Sequence, residues 1–291
     1  MSAARDWAAL PPDILLNVFL RLGPREVMLG AEQACKPWLS VAVEEPTLWR
    51  RVGLDEKDYS DKRRWRRSIY DVEEDTRLAA VDRSKGQCEA FDGFCNDYDL
   101  LDLVRRAPSL KSLSIEHYYD EESHSIKHLV KPLKKLTLLE DLQIRFTYGN
   151  LQDENKLRSV CKACPLLKKL VVMFAWAGDF YCNEDEFDME PVHGAIPVMR
   201  KLHTLELYDC DLTCEGLEGI LDNCPLLETL HIHGHFDKCQ MDKELKLKCS
   251  RVNNLTLDTK KPYDYGYGSA GSSYVSAEDS SQISSEEEDN D

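Results

Sequence analysis

The chain has 291 residues, 42% of them apolar and 31% charged, which is enough for one elongated domain or two compact ones. Its 37 Lys and Arg stand against 53 Asp and Glu, a net charge of −16, so its overall field suits neither nucleic acid nor an anionic membrane, and no partner of either kind is expected. No run reaches the about eighteen apolar residues of a membrane span, MSAARDWAALPP lacks a signal-peptide core, and eleven cysteines are few and odd in number for so long a chain, so they read as reduced thiols in a protein of the nucleus and/or cytoplasm.

Pro11-Pro12 and Asp13 mark a helix start, because proline suits the first turn and an acid favours the positive end of a helix. Ile14, Leu15, Val18, Phe19 and Leu22 then fall on one helical face. Gly23-Pro24 ends that helix, a second pattern runs from Val27 through Cys35, Trp38 and Val43, and Pro46 breaks the chain before Leu48 and Trp49. Three short helices of this size cannot enclose so many large apolar groups, so some must pack on the rest of the chain or on another protein.

The segment resembles an F-box. The residues that carry the resemblance are Leu10-Pro11-x-Asp13-Ile14-Leu15, Phe19-x-Arg21-Leu22, Ala34-Cys35-Lys36-x-Trp38 and Pro46-x-Leu48-Trp49-Arg50; Leu39 departs from it, since many members have Arg there. The resemblance implies a Skp-family adaptor as partner, and through it cullin and RING subunits. The adaptor contacts it implies are Leu10, Pro11, Ile14, Leu15, Phe19, Leu22, Cys35, Trp38 and Trp49. The F-box then covers 7–52 and a linker covers 53–76. The linker's basic run Lys62-Arg63-Arg64-Trp65-Arg66-Arg67 reads as a solvated helix whose charges pair with nearby acids, rather than as a nuclear signal or an anion site.

Over 77–257 a leucine-x-x-leucine-x-aliphatic frame recurs at Leu110-Leu113-Ile115, Leu139-Leu142-Ile144, Leu167-Leu170-Val172, Leu202-Leu205-Leu207, Leu227-Leu230-Ile232 and Val252-Leu255-Leu257. A weaker first copy is expected at Leu78-Val81, which makes six to seven irregular units. Such a frame suits one parallel strand per unit followed by a helix. It resembles leucine-rich repeats of the cysteine-containing type found in F-box proteins, with Cys210, Leu212, Gly216, Leu217 and Cys224 in the best copy. The order of segments from 7 to about 257 is similar to the plant F-box/leucine-rich-repeat group. The implied fold class is α/β: a three-helix F-box, then a horseshoe solenoid with parallel strands on its concave face and helices outside. The stretch FYCNEDEFDMEPVHGAIP is expected to bulge from it. The tail, 258–291, carries two Lys and nine acids with almost nothing aliphatic, a composition that predicts disorder; its Ser284-Ser285-Glu286-Glu287-Glu288-Asp289 run suits either an acid-directed serine kinase or a purely solubilising role.

No residue constellation points to catalysis, and no metal or cofactor is expected. Cys161-x-x-Cys164 has ligand spacing but no second pair to complete a four-ligand zinc site. His231, His233 and His235 fall on one side of a strand, where a recognition surface is the preferred reading over a metal site. The same alternation puts Val171, Met173, Glu206, Tyr208, His231 and His233 on the concave face as target contacts, unless the loop near Asp179 to Ile196 covers them. The reading is a non-enzymatic substrate receptor of a cullin–RING ubiquitin ligase, holding an unknown protein target for ubiquitination and proteasomal degradation. The alternative is an adaptor-binding or repeat-based scaffold with no ligase role.

Overall fold

Each α-helix of the N-terminal unit carries a proline in its first turn, a residue with no N–H to leave unpaired and a φ already helical. The computed structural model describes residues 7–53, 73–119, 125–146, 156–174, 190–192 and 196–259. Within them α1 (Pro12–Leu22), α2 (Pro24–Leu29) and α3 (Lys36–Glu44) carry proline at their first or second position, as does the 3-10 turn Pro46–Trp49. Leu15, Phe19, Val27, Val41, Ala42, Leu48 and Trp49 are buried between them. Trp38 meets Phe19 edge-on at 5.7 Å, and the Trp49 indole N–H donates to the Ala42 carbonyl at 2.9 Å. The linker's basic run lies outside the described residues, as does the tail from residue 260.

The N-terminal unit runs straight into the sheet. Its last two residues form β1 (Arg51–Val52), which pairs in parallel with β2 (Ala90–Asn96). The strands β3 (Ser112–Tyr119), β4 (Asp141–Phe146), β5 (Lys169–Met173), β7 (Thr204–Leu212), β8 (Thr229–Phe236) and β9 (Asn254–Thr259) follow in sequence order, all parallel. The short β6 (Glu190–Val192) pairs with the far half of β7, where β5 has already ended, so part of the expected bulge returns to the sheet. Parallel strands need a crossover, and α5 (Asp97–Arg106), α6 (Ile126–Leu133), α7 (Lys156–Ala163), α8 (Cys214–Asn223) and α9 (Lys243–Cys249) supply it. Their starts are capped by side chains: Asn96 and Asp99 form a capping box on α5, Thr213 accepts from the Gly216 N–H, and Asp242 accepts from the Leu245 N–H. This is the α/β solenoid the repeat frame implies.

One face of every strand packs on the helices. Leu113, Leu142, Leu170, Leu205 and Leu230 sit side by side across β3 to β8, and Ile115, Ile144, Val172, Leu207 and Ile232 form the next row. All ten are buried. Ala107, Cys164 and Cys224 occupy the matching turn after α5, α7 and α8, each with its N–H closing the helix and its carbonyl accepting from the leucine three residues on. Small side chains are required there because the turn is tucked under the core. Ten cysteines are described, all free, and seven of these are buried. Burial pushes the thiols of Cys88, Cys164, Cys210 and Cys224 up to about 12, so they remain neutral, apolar packing groups near neutral pH.

The expected first copy at Leu78-Val81 is corrected. Those residues belong to α4 (Glu73–Arg83), and the first full strand of the repeats is β2, whose inward residues are Phe91, Gly93 and Cys95. Gly93 replaces the expected aliphatic residue because a Cβ there would approach the buried Arg77 guanidinium to 2.9 Å.

At the other end of the sheet Gly234 faces Cys210 across β7 and β8, and a Cβ on it would lie 2.0 Å from the Cys210 carbonyl oxygen. Overpacking of this kind costs about 1–3 kcal/mol, so Gly234→Ala should lower the thermal midpoint by about 3–10 °C in a calorimetric scan. An unchanged midpoint would mean that β7 and β8 do not approach this closely.

Candidate protein-docking surfaces

On α1 the spacing of four divides the apolar residues into two sets. Leu15 and Phe19 point inward and are buried, whereas Ile14, Val18 and Leu22, each one turn from the next, are 46%, 40% and 39% exposed. Leu39 and Val43 on α3 are exposed one turn apart, and Trp7, Leu20 and Leu29 are exposed as well. The Trp38 indole N–H donates to the Trp7 carbonyl at 3.1 Å and so ties the chain start to α3. Exposed aliphatic and aromatic side chains at this density mark a docking surface rather than scattered surface residues.

This divides the residues expected to contact the adaptor. Ile14 and Leu22 are exposed, Pro11 is exposed, and Leu10, Cys35 and Trp38 are half-buried at the edge. Leu15, Phe19 and Trp49, at 1%, 1% and 0% exposure, pack the three helices together. Motif matching does not separate framework from contact, because both are apolar. The exposures do: they split the five residues that the sequence places on one helical face, and they single out Val18, which the motif leaves out.

The second surface is the sheet face turned away from the core. Its residues line up across the strands in register as Asp92, Ser114, Gln143, Val171, Glu206, His231 and Thr256. A parallel row holds Arg145, Met173, Tyr208 and His233. Of the expected target contacts, Met173, Glu206, Tyr208, His231 and His233 are half-exposed on this face. Val171 differs from them: it is only 3% exposed although it points away from the helices. It is a short side chain between Gln143 and Glu206 on the neighbouring strands, with Lys169 and Met173 two residues away on its own strand. Longer neighbours on all four sides exclude water from such a position.

Around Tyr208 the groups are mutually arranged. Its ring stacks on the His233 imidazole at 4.6 Å and 10°, and His231 stands edge-on to His233 at 6.3 Å. The Tyr208 hydroxyl donates to Glu206 Oε2 at 2.8 Å, and burial together with this bond raises its pKa. Lys169 Nζ lies 3.9 Å from the other Glu206 oxygen. His235 is drawn to Asp211 at 2.8 Å instead of joining the other two histidines. Among the described residues no three His, Cys, Asp or Glu side chains gather as a metal site would need.

At the opposite end of the same face, Asp92 and Glu116 are close carboxylates. Burial, and secondarily the Glu116 charge, push Asp92 up to about 7 against a lowering hydrogen bond from Ser114. An unfolded Asp titrates near ~3.9, so between these values the native state holds a proton that the unfolded chain has lost. Stability therefore falls as pH rises from about 4 to 7. Asp92→Asn should flatten this slope in urea titrations and raise the thermal midpoint at pH 8, by about 2–4 °C per kcal/mol relieved. An unchanged slope would show that Asp92 ionises in its ordinary range.

Comparison with known proteins matches residues 7–55 to the F-box-like family. Over the longer chain, F-box/LRR-repeat protein 22 of Arabidopsis thaliana is 30% identical over 277 residues, covering 90% of this chain and 80% of the relative. F-box/LRR-repeat protein 9 of the same plant is 31% identical, covering 79% and 87%. F-box/LRR-repeat protein 23 is 31% identical over 86% of this chain, but the chain spans only 53% of that relative's length.

Proposed function

Since the chain belongs to the F-box/leucine-rich-repeat family, we propose that it is the substrate-recognition subunit of a cullin–RING ubiquitin ligase. In this reading the N-terminal helices bind a Skp-family adaptor, which brings the cullin and RING subunits. The open face of the sheet holds a protein target for ubiquitination and degradation. The chain performs no bond chemistry of its own; it raises the effective concentration of target lysines near the activated ubiquitin. Ten free cysteines suit a reducing compartment, and we place the protein in the nucleus, the cytoplasm or both.

The observation that carries the adaptor half is the exposed line Ile14, Val18 and Leu22 on a helix whose other face is fully packed. A monomer has no use for that line, whereas a helical partner buries it. For the target half, the support is the polar, aromatic and imidazole rows of the open face, a composition that suits a protein surface better than a small apolar ligand.

Replacing Val18 and Leu22 together with Asp should abolish capture by a purified Skp-family adaptor while the thermal midpoint falls by only a few degrees, because neither side chain belongs to the buried core. Phe19→Ala should instead lower the midpoint strongly, as a buried aromatic truncation costs about 3–5 kcal/mol. Adaptor capture that survives the double Asp change would contradict the reading.

A further inference from the structure

The N-terminal helices and the repeat sheet share one hydrophobic core, with α4 packed on the Pro46–Trp49 turn, and two directional contacts cross their boundary. The first is β1, a strand of only two residues, whose neighbour Gly53 has φ +133° and lies so close to Asp92 that a Cβ would come within 2.5 Å of it. Two residues of ladder by themselves fix only one line in space. The second is a contact away from the strand. Arg83, the last residue of α4, reaches back 51 residues to Glu32, in the turn between α2 and α3. Its two terminal nitrogens donate to the two carboxylate oxygens at 2.5 and 3.2 Å, the paired geometry that a guanidinium and a carboxylate share. The same guanidinium lies 5.1 Å over the ring of Trp49, which is itself fully buried. The side chains of the pair are 21% and 11% exposed.

Ion pairs this sheltered add little net stability, because desolvation offsets their attraction. What they do provide is direction: a bidentate fork stacked on a ring tolerates one orientation only. The other arginine pairs found among the repeats, such as Arg106 with Asp82 and Asp102, stay within the repeat half of the chain. Arg83 instead spans the boundary, with one partner in the helical unit that would carry the adaptor and its own helix packed against the first strand of the sheet.

We propose that Arg83 is a positioning residue: clamped between Glu32 and Trp49, it fixes the angle between the adaptor-binding helices and the target-binding sheet. Its importance for ubiquitin transfer rests on the function proposed above, since a target is modified only if it is presented at a set distance from the ligase's catalytic subunit. The clamp itself does not depend on that function.

The test uses the full chain bound to purified Skp-family adaptor, with donor and acceptor dyes on noncanonical residues at exposed Glu26 and Lys243, so that the native thiols are left alone. Single-molecule energy transfer should give one narrow distance distribution for the wild type. Arg83→Ala, and Arg83→Met, which keeps an apolar stem over Trp49, should broaden or shift it at a temperature well below the midpoint. The exchanged pair Arg83→Glu with Glu32→Arg should narrow it again. Should the Ala variant not fold, the Met variant decides. An unchanged distribution in the folded variants would overturn the proposal. Failure of the wild-type chain to capture adaptor would refute the ligase reading and leave the clamp testable on the free chain.

Discussion

One backbone interaction recurs along the whole molecule and sets everything else. Just ahead of β1, β2, β3, β4, β5 and β7, a single carbonyl accepts from two consecutive N–H groups of the next unit. Arg50 accepts from Glu89 and Ala90, Glu89 from Lys111 and Ser112, Lys111 from Glu140 and Asp141, Glu140 from Lys168 and Lys169, Lys168 from His203 and Thr204, and His203 from Glu228 and Thr229. Buried backbone groups must find partners, and this chain of acceptors finds them at the same place in every unit whatever the length of the crossover. The side chains on the first five acceptors, Arg50, Glu89, Lys111, Glu140 and Lys168, alternate in sign; Lys111–Glu89 and Lys168–Glu140 pair across neighbouring units, and His203 Nδ1 lies 3.3 Å from Glu228. These exposed pairs add little energy, yet they disfavour any slip that would bring like charges together.

The register fixed in this way separates two tasks. Alternation along a strand sends one row of leucines into the helices and leaves the next residue free of packing duty, so the open face can carry Gln143, Arg145, Tyr208 and the histidines without harm to the core. It also explains why the ladder starts at Arg50. The helical unit supplies the first acceptor of the series, so it is the first rung of the solenoid rather than a separate bead on a linker. Its buried residues and those of the repeats belong to one continuous hydrophobic core.

Most of this architecture was legible in the sequence because it rests on repetition. Six frames with aliphatic residues two and three apart specify six strands, and the prolines at 12, 24, 37 and 46 specify where helices begin. What was not legible depends on exceptions. Strand β2 uses Phe91, Gly93 and Cys95 in place of the leucine frame, because Arg77 occupies the space an aliphatic residue would need, and the nearby Leu78-Ala79-Ala80-Val81 offers a false match on a helix. In β7 a bulge at Asp209, the residue with φ +56°, shifts the pairing and sends His235 to Asp211. On α1 the apolar positions were legible but their division was not: a motif names positions by type, and the packing tells the inward Leu15 and Phe19 from the outward Ile14, Val18 and Leu22. The Arg83–Glu32 contact lies 51 residues apart in the sequence with no repeat to announce it.

In the proposed function, the exposed line of α1 meets a Skp-family adaptor while the repeat sheet stays free for a second protein. Amide hydrogen exchange, followed with and without a purified Skp-family adaptor, tests it directly. The expected result is slowed exchange confined to peptides covering α1 and α3, with the peptides of β3 through β9 unchanged. Protection that falls on the repeat strands, or no protection in α1 at saturating adaptor, would contradict it.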